Sequence, residues 1–294
     1  MKEIANYLKN IFRIIFLWML PLGLWSGSRR LDKWLRKNKK EQDPNLHPYD
    51  ERWEYIRKKV RKTIWRIGVD IELIGEENLP KGASWIAPNH TSNFDPFYLI
   101  KALGGKIPLI PVGKEVLEKS KLVGGFFRGG DGFFISRAKI REQIIKLDAA
   151  AAQAKQTNHA VIVFPEGTRS LTGDLLDFKD GTFKFAQRYY LPIVPITIIG
   201  TLQARNLLRL KTAKIQIIVH KPLKAADHMH LPTPIISKKV KTLIQKDLTN
   251  YYKSLSPHEK KHLKNIKEKS FIKEKKKNKK LQQEINAEIS SETE

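Results

Sequence analysis

At 294 residues, the chain is long enough for one large α/β domain with terminal extensions, and a domain of that size buries a self-sufficient core. It contains no Cys, which excludes a disulfide framework, a thiol nucleophile and a Cys-based metal site. The 55 Lys and Arg residues against 30 Asp and Glu residues give a formal net charge of +25, so an anionic partner is expected, either nucleic acid or an anionic lipid surface.

The N-terminal region is apolar and is followed by a cluster of cations. Residues 14–28 carry no charge, yet these 15 residues would extend only about 22 Å as a helix, less than the roughly 30 Å hydrocarbon core of a bilayer. Pro21 and Gly23 are expected to kink it. With the basic, Trp-containing residues 29–37 behind it, this stretch is typical of a monotopic or re-entrant anchor on an anionic leaflet. A signal peptide is disfavoured because Arg13 interrupts the apolar run, whereas a buried helix of a soluble protein stays an alternative.

After a polar linker, the sequence alternates predicted helices and strands. A helix is predicted over residues 51–65, because apolar residues recur there with helical spacing at Trp53, Ile56, Val60 and Ile64. Strands are predicted at 69–74, 85–87, 108–112, 132–135, 160–164, 193–199 and 214–220, and helices at 95–103, 141–156 and 182–190. This alternation implies an α/β fold with a largely parallel central sheet flanked by helices, preceded by the N-terminal membrane-associated helical segment.

A His and an Asp lie between a predicted strand and the helix that follows it. His90 and Asp95 are five positions apart, about 140° around an ideal helix and on opposite faces of a strand, so a turn is needed to bring the carboxylate to the imidazole. Pro96 suits the first helical turn, and Asp95 suits the cap before it. An Asp that fixes the tautomer of a His lets the imidazole remove a proton from a hydroxyl. Taken alone, the stretch is equally typical of a polar loop with a capping Asp.

A second polar stretch, Phe-Pro-Glu-Gly-Thr-Arg-Ser over residues 164–170, follows another apolar run. Ligand-binding loops collect at such strand ends in α/β sheets. The stretch offers a carboxylate at Glu166, a Gly for close backbone approach at Gly167, and a guanidinium at Arg169 that is able to bind a phosphate through paired hydrogen bonds. Taken alone, a surface turn with an ordinary ion pair is the alternative.

Together the two stretches resemble the glycerolipid acyltransferase family, the 1-acylglycerol-3-phosphate acyltransferases. The resemblance rests on the spacing of His90 and Asp95 and on the run over residues 164–170. Two weaker matches follow the family order, Phe-Ile-Ser-Arg ending at Arg137 and Val-Pro-Ile at residues 194–196.

The resemblance covers roughly residues 68–225, with departures near the second and third blocks. The family usually has Gly six residues before the Arg of its second block, where this chain has Asp131. It often has Asp just before that Arg, where this chain has Ser136, and Pro after the third block, where this chain has Asp177. These blocks are the ones associated with the acceptor.

The resemblance implies an O-acyltransferase that moves a fatty acyl group from acyl-CoA or acyl carrier protein to the free hydroxyl of lysophosphatidic acid, which forms phosphatidic acid in phospholipid synthesis. His90 would be the general base and Asp95 would orient it, and loop backbone amides would hold the oxyanion. The implied ligands of the acceptor's glycerol and phosphate are Arg137, Glu166, Gly167, Thr168, Arg169 and Lys179. No metal or redox cofactor is implied, since the thioester is a co-substrate.

Three regions are expected: a membrane-anchoring helical segment with its linker over residues 1–48, an acyltransferase domain over 49–256, and a Lys-rich tail over 257–294 that is disordered or forms a solvated helix. The predicted partners are an anionic membrane surface at the cytoplasmic face, a lysophospholipid and the acyl donor, with no specific nucleic acid. One alternative is a related acyltransferase with glycerol 3-phosphate, another lysophospholipid or an aminolipid as acceptor. An alternative from another class, a basic nucleic-acid-binding protein, explains the charge but leaves the apolar N-terminus and both loops without a role.

Overall fold

The computed structural model describes residues 2–43, 45–136, 138–269 and 271–272. The helices are α1 (Lys2–Ile15), α2 (Met19–Lys40), α3 (Tyr49–Arg66), α4 (Asp95–Leu103), α5 (Gly124–Gly129), α6 (Ile140–Thr157), α7 (Phe183–Arg188), α8 (Ala225–His228) and α9 (Thr233–Ser254). The strands are β1 (Val69–Ile74), β2 (Ser84–Pro88), β3 (Leu109–Lys114), β4 (Phe133–Ile135), β5 (Ala160–Ile162), β6 (Ile193–Ile199) and β7 (Ala213–Val219).

These strands form one sheet in the order β1-β7-β6-β2-β5-β3-β4. Neighbouring strands run parallel, apart from the antiparallel pair of β6 and β7. Strand β2 lies between β6 and β5 and is buried along its whole length. The sheet therefore confirms the predicted α/β class with a largely parallel arrangement.

Helices cover both faces of the sheet, and the side chains of β2 alternate between the two cores. Ile86 packs into the core shared with α2, α3 and α4, whereas Trp85 and Ala87 pack into the core shared with α6, α7 and α9. The apolar stripe that predicted α3 is buried throughout, so this stripe contacts the core. Its members are Trp53, Ile56, Val60 and Ile64.

Helices α1 and α2 are separated by a bend of 64°, which lies at residues 16–18 and not at the predicted Pro21 and Gly23. Pro21 lies in the first turn of α2, where its missing N–H breaks no helical hydrogen bond, so the helix accommodates it. Within the described ranges no helix is long and apolar enough to cross a membrane by itself, and α1 with α2 meets that requirement only as a bent pair.

The C-terminal region is more helical than predicted. Helix α9 is absent from the predicted elements, although its buried residues have helical spacing: Ile236, Val240, Ile244 and Leu248. The tail from residue 257 was expected to be disordered or a solvated helix, and residues 257–269 are helical. An apolar contact explains this, because Leu263 is buried against Leu202 and Leu255. Residues 273–294 of the predicted tail lie outside the described residues.

The two polar stretches are brought together by the pairing of β2 with β5. The strands are parallel, with Ile86 opposite Ile162, so the chain leaves both strands at the same edge of the sheet. Strand β5 ends at Ile162, two residues earlier than predicted, and Phe164 already belongs to the loop. The loop after β2 therefore faces the loop that carries residues 164–170.

Candidate active site

His90 and Asp95 form a hydrogen-bonded pair at the carboxyl end of β2. The distance from His90 Nδ1 to Asp95 Oδ2 is 2.8 Å, and the Asp95 side chain is fully buried. The same oxygen accepts the backbone N–H groups of Thr91 and Ser92, each at 2.7 Å. Because a carboxylate accepts the Nδ1 proton, the lone pair of the imidazole lies on Nε2, which has no hydrogen-bond partner in the described parts of the chain. The arrangement suits proton removal from a bound hydroxyl.

The loop between β2 and α4 is built differently from the predicted cap. Asp95 is the first residue of α4, and Phe94 occupies the cap position. Instead of capping the helix, the Asp95 carboxylate turns back toward the amides of Thr91 and Ser92. Pro96 follows in the first turn, as predicted. The carboxylate thus holds the loop and the imidazole together.

The second loop packs directly on His90. The ring of Phe164 stacks on the imidazole at a centroid distance of 4.0 Å. Glu166 Oε1 accepts the His90 backbone N–H at 2.6 Å, and Glu166 Oε2 accepts the Leu176 N–H at 3.0 Å. The Ser170 N–H donates to the His90 carbonyl oxygen at 2.8 Å. Burial raises the pKa of Glu166 to about 7, although these amide hydrogen bonds act in the opposite direction.

The other predicted acceptor ligands lie nearer to solvent. Gly167 is exposed and has a left-handed φ of 63°, which requires no strain in Gly. Thr168 and Arg169 are half-buried, and Lys179 is exposed. The Lys179 N–H donates to the Pro165 carbonyl oxygen at 2.8 Å, which brings this residue back to the start of the loop. The prediction for Arg137 lies outside the described residues.

An apolar cavity lies beside Phe164, the residue that stacks on the imidazole. It is lined by Trp53, Pro96, Ile100, Leu109, Pro111, Val112, Phe127, Ile162 and Phe164. Phe164 is a wall of this cavity and also the stacking partner of His90, and Pro96 follows Asp95 directly. The cavity and the imidazole therefore share Phe164 as a neighbour.

Comparison with known proteins agrees with this geometry. The acyltransferase family model matches residues 70–199. A probable 1-acyl-sn-glycerol-3-phosphate acyltransferase of Mycoplasma pneumoniae is 30% identical over 223 residues, which span 72% of this chain and 83% of the relative. The chain belongs to this acyltransferase family.

Further relatives support the assignment over shorter stretches. The 1-acyl-sn-glycerol-3-phosphate acyltransferase of Saccharomyces cerevisiae is 37% identical over 142 residues, which span 46% of this acyltransferase and 45% of the yeast protein. The crystal structure of the 1-acyl-sn-glycerophosphate acyltransferase PlsC from Thermotoga maritima has a TM-score of 0.61 at 22% identity and covers 87% of this chain and 100% of its own. That likeness shows a shared fold. The predicted family and the O-acyltransferase class are confirmed.

Two side chains that the motifs did not indicate hold the segment after β2 of the acyltransferase in place. Asn89 binds β6 in both directions, donating to the Ile198 carbonyl oxygen at 3.0 Å and accepting the Ile198 N–H at 2.7 Å. Arg205 donates to the carbonyl oxygens of Thr91 at 3.0 Å and Leu171 at 2.7 Å, so it joins the loop after β2 to the loop after β5. Asn89 could have been predicted to belong to the site because it directly precedes His90 in the sequence. No spacing pattern indicates Arg205.

A second guanidinium, that of Arg169, lies near Arg205. Burial lowers the pKa of Arg205, and the positive charge of Arg169 acts in the same direction. The two guanidinium groups are therefore close enough to repel each other. Asp95 acts in the opposite direction and partly offsets this repulsion. This edge of the site is electropositive, which favours an anionic group such as a phosphate.

Proposed function

We propose that this acyltransferase transfers a fatty acyl group from a thioester donor, acyl-CoA or acyl carrier protein, to the free hydroxyl of lysophosphatidic acid, which forms phosphatidic acid. The observation that carries the proposal is the hydrogen-bonded pair of His90 and Asp95, whose imidazole stacks on Phe164. The names of the relatives in bacteria and yeast support lysophosphatidic acid as acceptor.

In the proposed mechanism, His90 Nε2 removes the proton of the acceptor hydroxyl while the oxygen attacks the thioester carbonyl. Asp95 stabilises the imidazolium that forms, because its carboxylate accepts the Nδ1 proton at 2.8 Å. Collapse of the tetrahedral intermediate breaks the C–S bond, and the imidazolium returns the proton to the departing thiolate. The acyl group passes directly between the substrates, so no covalent enzyme intermediate is required.

If loop backbone amides hold the oxyanion of that intermediate, as expected from the resemblance, they are amides other than those of His90, Thr91 and Ser92. The N–H of His90 is bound to Glu166, and those of Thr91 and Ser92 are bound to Asp95. These three amides are therefore occupied while the loop keeps its conformation.

Each substrate has a matching part of the site. The apolar lining of the cavity next to Phe164 matches the polarity of the donor's acyl chain, and Phe164 also contacts the imidazole. The electropositive edge with Arg169 and Arg205 suits the acceptor phosphate. This division of the site favours a phosphorylated acceptor over an uncharged one.

The polarity of α1 supports attachment to a membrane. Its inner face is polar: Asn10 and Arg13 are each only 1% exposed, and Arg13 donates to the carbonyl oxygens of Leu207 and Arg209. Its outer face is apolar and exposed, and consists of Ile4, Tyr7, Leu8, Ile11, Phe12 and Ile15. A helix with its apolar face outward is stabilised by lying in a membrane interface with that face in the acyl layer. We assign this interface to the cytoplasmic leaflet, where thioester donors are present.

The loop that receives Arg13 extends this apolar surface. Leu208 and Leu210 are 65% and 40% exposed, and they flank Arg209 in the segment between β6 and β7. Because Arg13 binds the backbone of this segment, its leucines lie beside α1 and belong to the same proposed membrane contact.

The function is tested by incubating the purified protein with lysophosphatidic acid in detergent micelles or vesicles, with acyl-CoA and acyl carrier protein thioesters supplied separately. Formation of phosphatidic acid, detected by mass spectrometry and lost in a His90→Ala variant, is the expected result. Parallel reactions with glycerol 3-phosphate, another lysophospholipid and an aminolipid define the acceptor. A higher kcat/KM for one of those would overturn the assignment of lysophosphatidic acid.

A further inference from the structure

Glu166 belongs to the loop associated with the acceptor, but its side chain is turned into the protein. It is only 2% exposed. Its two oxygens are bound to backbone amides, Oε1 to His90 and Oε2 to Leu176. A ligand of the acceptor has to present a polar atom to the substrate, whereas the Glu166 carboxylate is buried with each oxygen turned toward a backbone amide.

The His90 peptide is held from both of its sides by this loop. Glu166 accepts the N–H at 2.6 Å, and Ser170 donates to the carbonyl oxygen at 2.8 Å. Phe164, from the same loop, stacks on the ring. With Asp95 fixing the imidazole through Nδ1, both the backbone and the ring of His90 have defined positions.

We propose that Glu166 is a positioning residue, whose carboxylate fixes the His90 peptide relative to the loop after β5 and does not contact the acceptor. This inference rests on the proposed transfer to lysophosphatidic acid, because positioning matters only for a base that works on a bound hydroxyl. A displacement of about 1 Å in a reacting group can reduce the rate about 10²-fold. The main effect of losing Glu166 is therefore on kcat.

The ionised carboxylate is the form that matches these contacts. Each oxygen of a carboxylate accepts hydrogen bonds, so one side chain satisfies the amides of His90 and Leu176 together. A Gln at this position has one acceptor oxygen and one NH₂ donor, so one of the two amides would face a donor. Glu166→Gln thus removes one contact with little change in volume.

The test compares Glu166→Gln with Asp177→Asn in the full-length protein. Asp177 lies in the same loop, is exposed and pairs with Lys241 at 2.6 Å, so its variant removes an equal charge without contacting His90. For Glu166→Gln we expect kcat to fall about 10- to 100-fold while the KM for lysophosphatidic acid stays within about twofold. Asp177→Asn is expected to retain both constants.

Hydrogen–deuterium exchange, measured without acceptor, provides a second readout. A Glu166 that only bound the acceptor would not affect it. The amide of His90 should exchange faster in Glu166→Gln than in the unmodified protein, with thermal unfolding used to check that the variant is folded. If the Gln variant does not fold, Glu166→Asp, which keeps the charge but shortens the reach, is measured in the same way.

A rise of about tenfold or more in acceptor KM, with kcat and His90 exchange unchanged, would overturn the inference and assign Glu166 to the acceptor. Unchanged kcat, KM and exchange would overturn it as well. Absence of acyl transfer in the unmodified protein is a separate outcome that rejects the proposed function. In that case, unchanged exchange in Glu166→Gln would still reject the positioning contact.

Discussion

Arg52 Nη2 donates hydrogen bonds to both carboxylate oxygens of Asp131, at 3.0 and 2.9 Å. Asp131 has a left-handed backbone with a φ of 50°, a conformation that favours Gly, and Gly is usual at this position in the family that the motifs resemble. Arg52 is buried on α3, whereas Asp131 is half-buried before β4. The ion pair therefore compensates for an unfavourable backbone conformation and joins α3 to this loop.

We expect Asp131→Gly to destabilise the protein although it removes backbone strain. Relief of strain contributes about 1 kcal/mol, but the buried Arg52 loses its partner, which costs about 3–5 kcal/mol for a fully buried pair. Because Asp131 is partly exposed, solvent screening reduces that cost, and a net loss of about 1–3 kcal/mol in the free energy of unfolding is expected. Urea unfolding measures it.

Two variants control this experiment. Gln42 has a φ of 54° and an exposed side chain, so Gln42→Gly relieves similar strain without breaking an ion pair and should be neutral or slightly stabilising. Arg52→Leu combined with Asp131→Gly should recover part of the lost stability, because no unpaired cation stays buried. The explanation would be contradicted if Gln42→Gly lowered the free energy of unfolding while Asp131→Gly left it unchanged.

His90→Ala and Asp95→Ala should differ in their effects on the fold. His90→Ala is expected to lower kcat by about 10²–10⁴-fold with little loss of stability. Asp95→Ala also leaves the amides of Thr91 and Ser92 unpaired in a buried loop, and each unpaired amide costs about 1–3 kcal/mol. Asp95→Asn keeps an acceptor oxygen and is the better probe of chemistry alone. Steady-state kinetics and thermal unfolding of the variants check both effects, and near-full turnover of His90→Ala would reject the base assignment.

Arg169 and Arg205 should be separable by kinetics. Arg169→Ala should raise the KM for lysophosphatidic acid about 10- to 100-fold, with donor KM little changed, because a charge-assisted hydrogen bond to phosphate contributes about 1.5–3 kcal/mol. Arg205→Lys should act mainly on kcat, since this guanidinium holds the carbonyl oxygens of Thr91 and Leu171 and Lys cannot reproduce both contacts. Equal changes in donor and acceptor KM for Arg169→Ala would mean that Arg169 is structural.

The raised pKa of Glu166 predicts a pH-dependent contribution to stability. Its pKa is about 7 in the folded protein against an ordinary 4.5, so between these values the folded protein binds more protons than the unfolded chain. The stability contributed by this group therefore falls as pH rises through that window. Nearby charges act in both directions, since Asp95 raises the pKa and Lys241 lowers it.

Urea unfolding at about pH 5 and about pH 8 tests this dependence. Relative to Glu166→Gln, which does not titrate, the unmodified protein should lose stability on going to the higher pH. Asp177→Asn serves as the matched charge control and should parallel the unmodified protein near neutral pH. A stability difference from Glu166→Gln that stays constant with pH would show that the pKa of Glu166 is not raised.

Local patterns predicted the elements that surround the site. Strands β1 and β6 and helix α4 have the predicted bounds, because apolar runs and the Pro near the start of α4 define them locally. The turn that brings Asp95 to His90 followed from their spacing alone. Helix α9 was detectable from the spacing of its apolar residues but was missed.

Long-range contacts explain what the sequence did not reveal. Arg205 is far in sequence from both loops that it joins, and no periodicity links it to them. The resemblance implied Glu166 as an acceptor ligand but gave no sign that its side chain is only 2% exposed, since a motif does not indicate whether a carboxylate points into or out of the protein. The periodicity of α1 likewise shows two faces without showing which one contacts the protein, and the buried Arg13 decides that question.

The last prediction concerns the outward apolar face of α1 and is best tested with point substitutions. Removing residues 1–37 would also remove Leu31 of α2, which is fully buried in the core, so that deletion would confound membrane release with unfolding. Leu8→Gln combined with Ile15→Gln changes two exposed residues of α1 and keeps a good helix former at each site.

A matched control is available away from α1 and from the carboxyl ends of the strands. Tyr190 and Ile235 are 57% and 44% exposed, and Tyr190 lies before the amino end of β6, away from the His90 loop. Their paired substitution to Gln removes exposed apolar surface of comparable size from a region that is not proposed to meet lipid. A third pair, Leu208→Gln with Leu210→Gln, tests the extension of the contact.

Sedimentation with vesicles that contain anionic phosphatidylglycerol should separate these pairs. Transfer of a Leu or Ile side chain out of water contributes about 1.5–3 kcal/mol when burial is complete, so the α1 pair should weaken vesicle binding at least about tenfold even with partial insertion. The leucine pair in the loop should weaken binding too, and the control pair should not. High salt should weaken binding of the unmodified protein only partly, because salt screens the cations but not the apolar contribution. Equal binding by all three pairs, or complete release of the unmodified protein in salt, would contradict a contact made by the apolar face of α1.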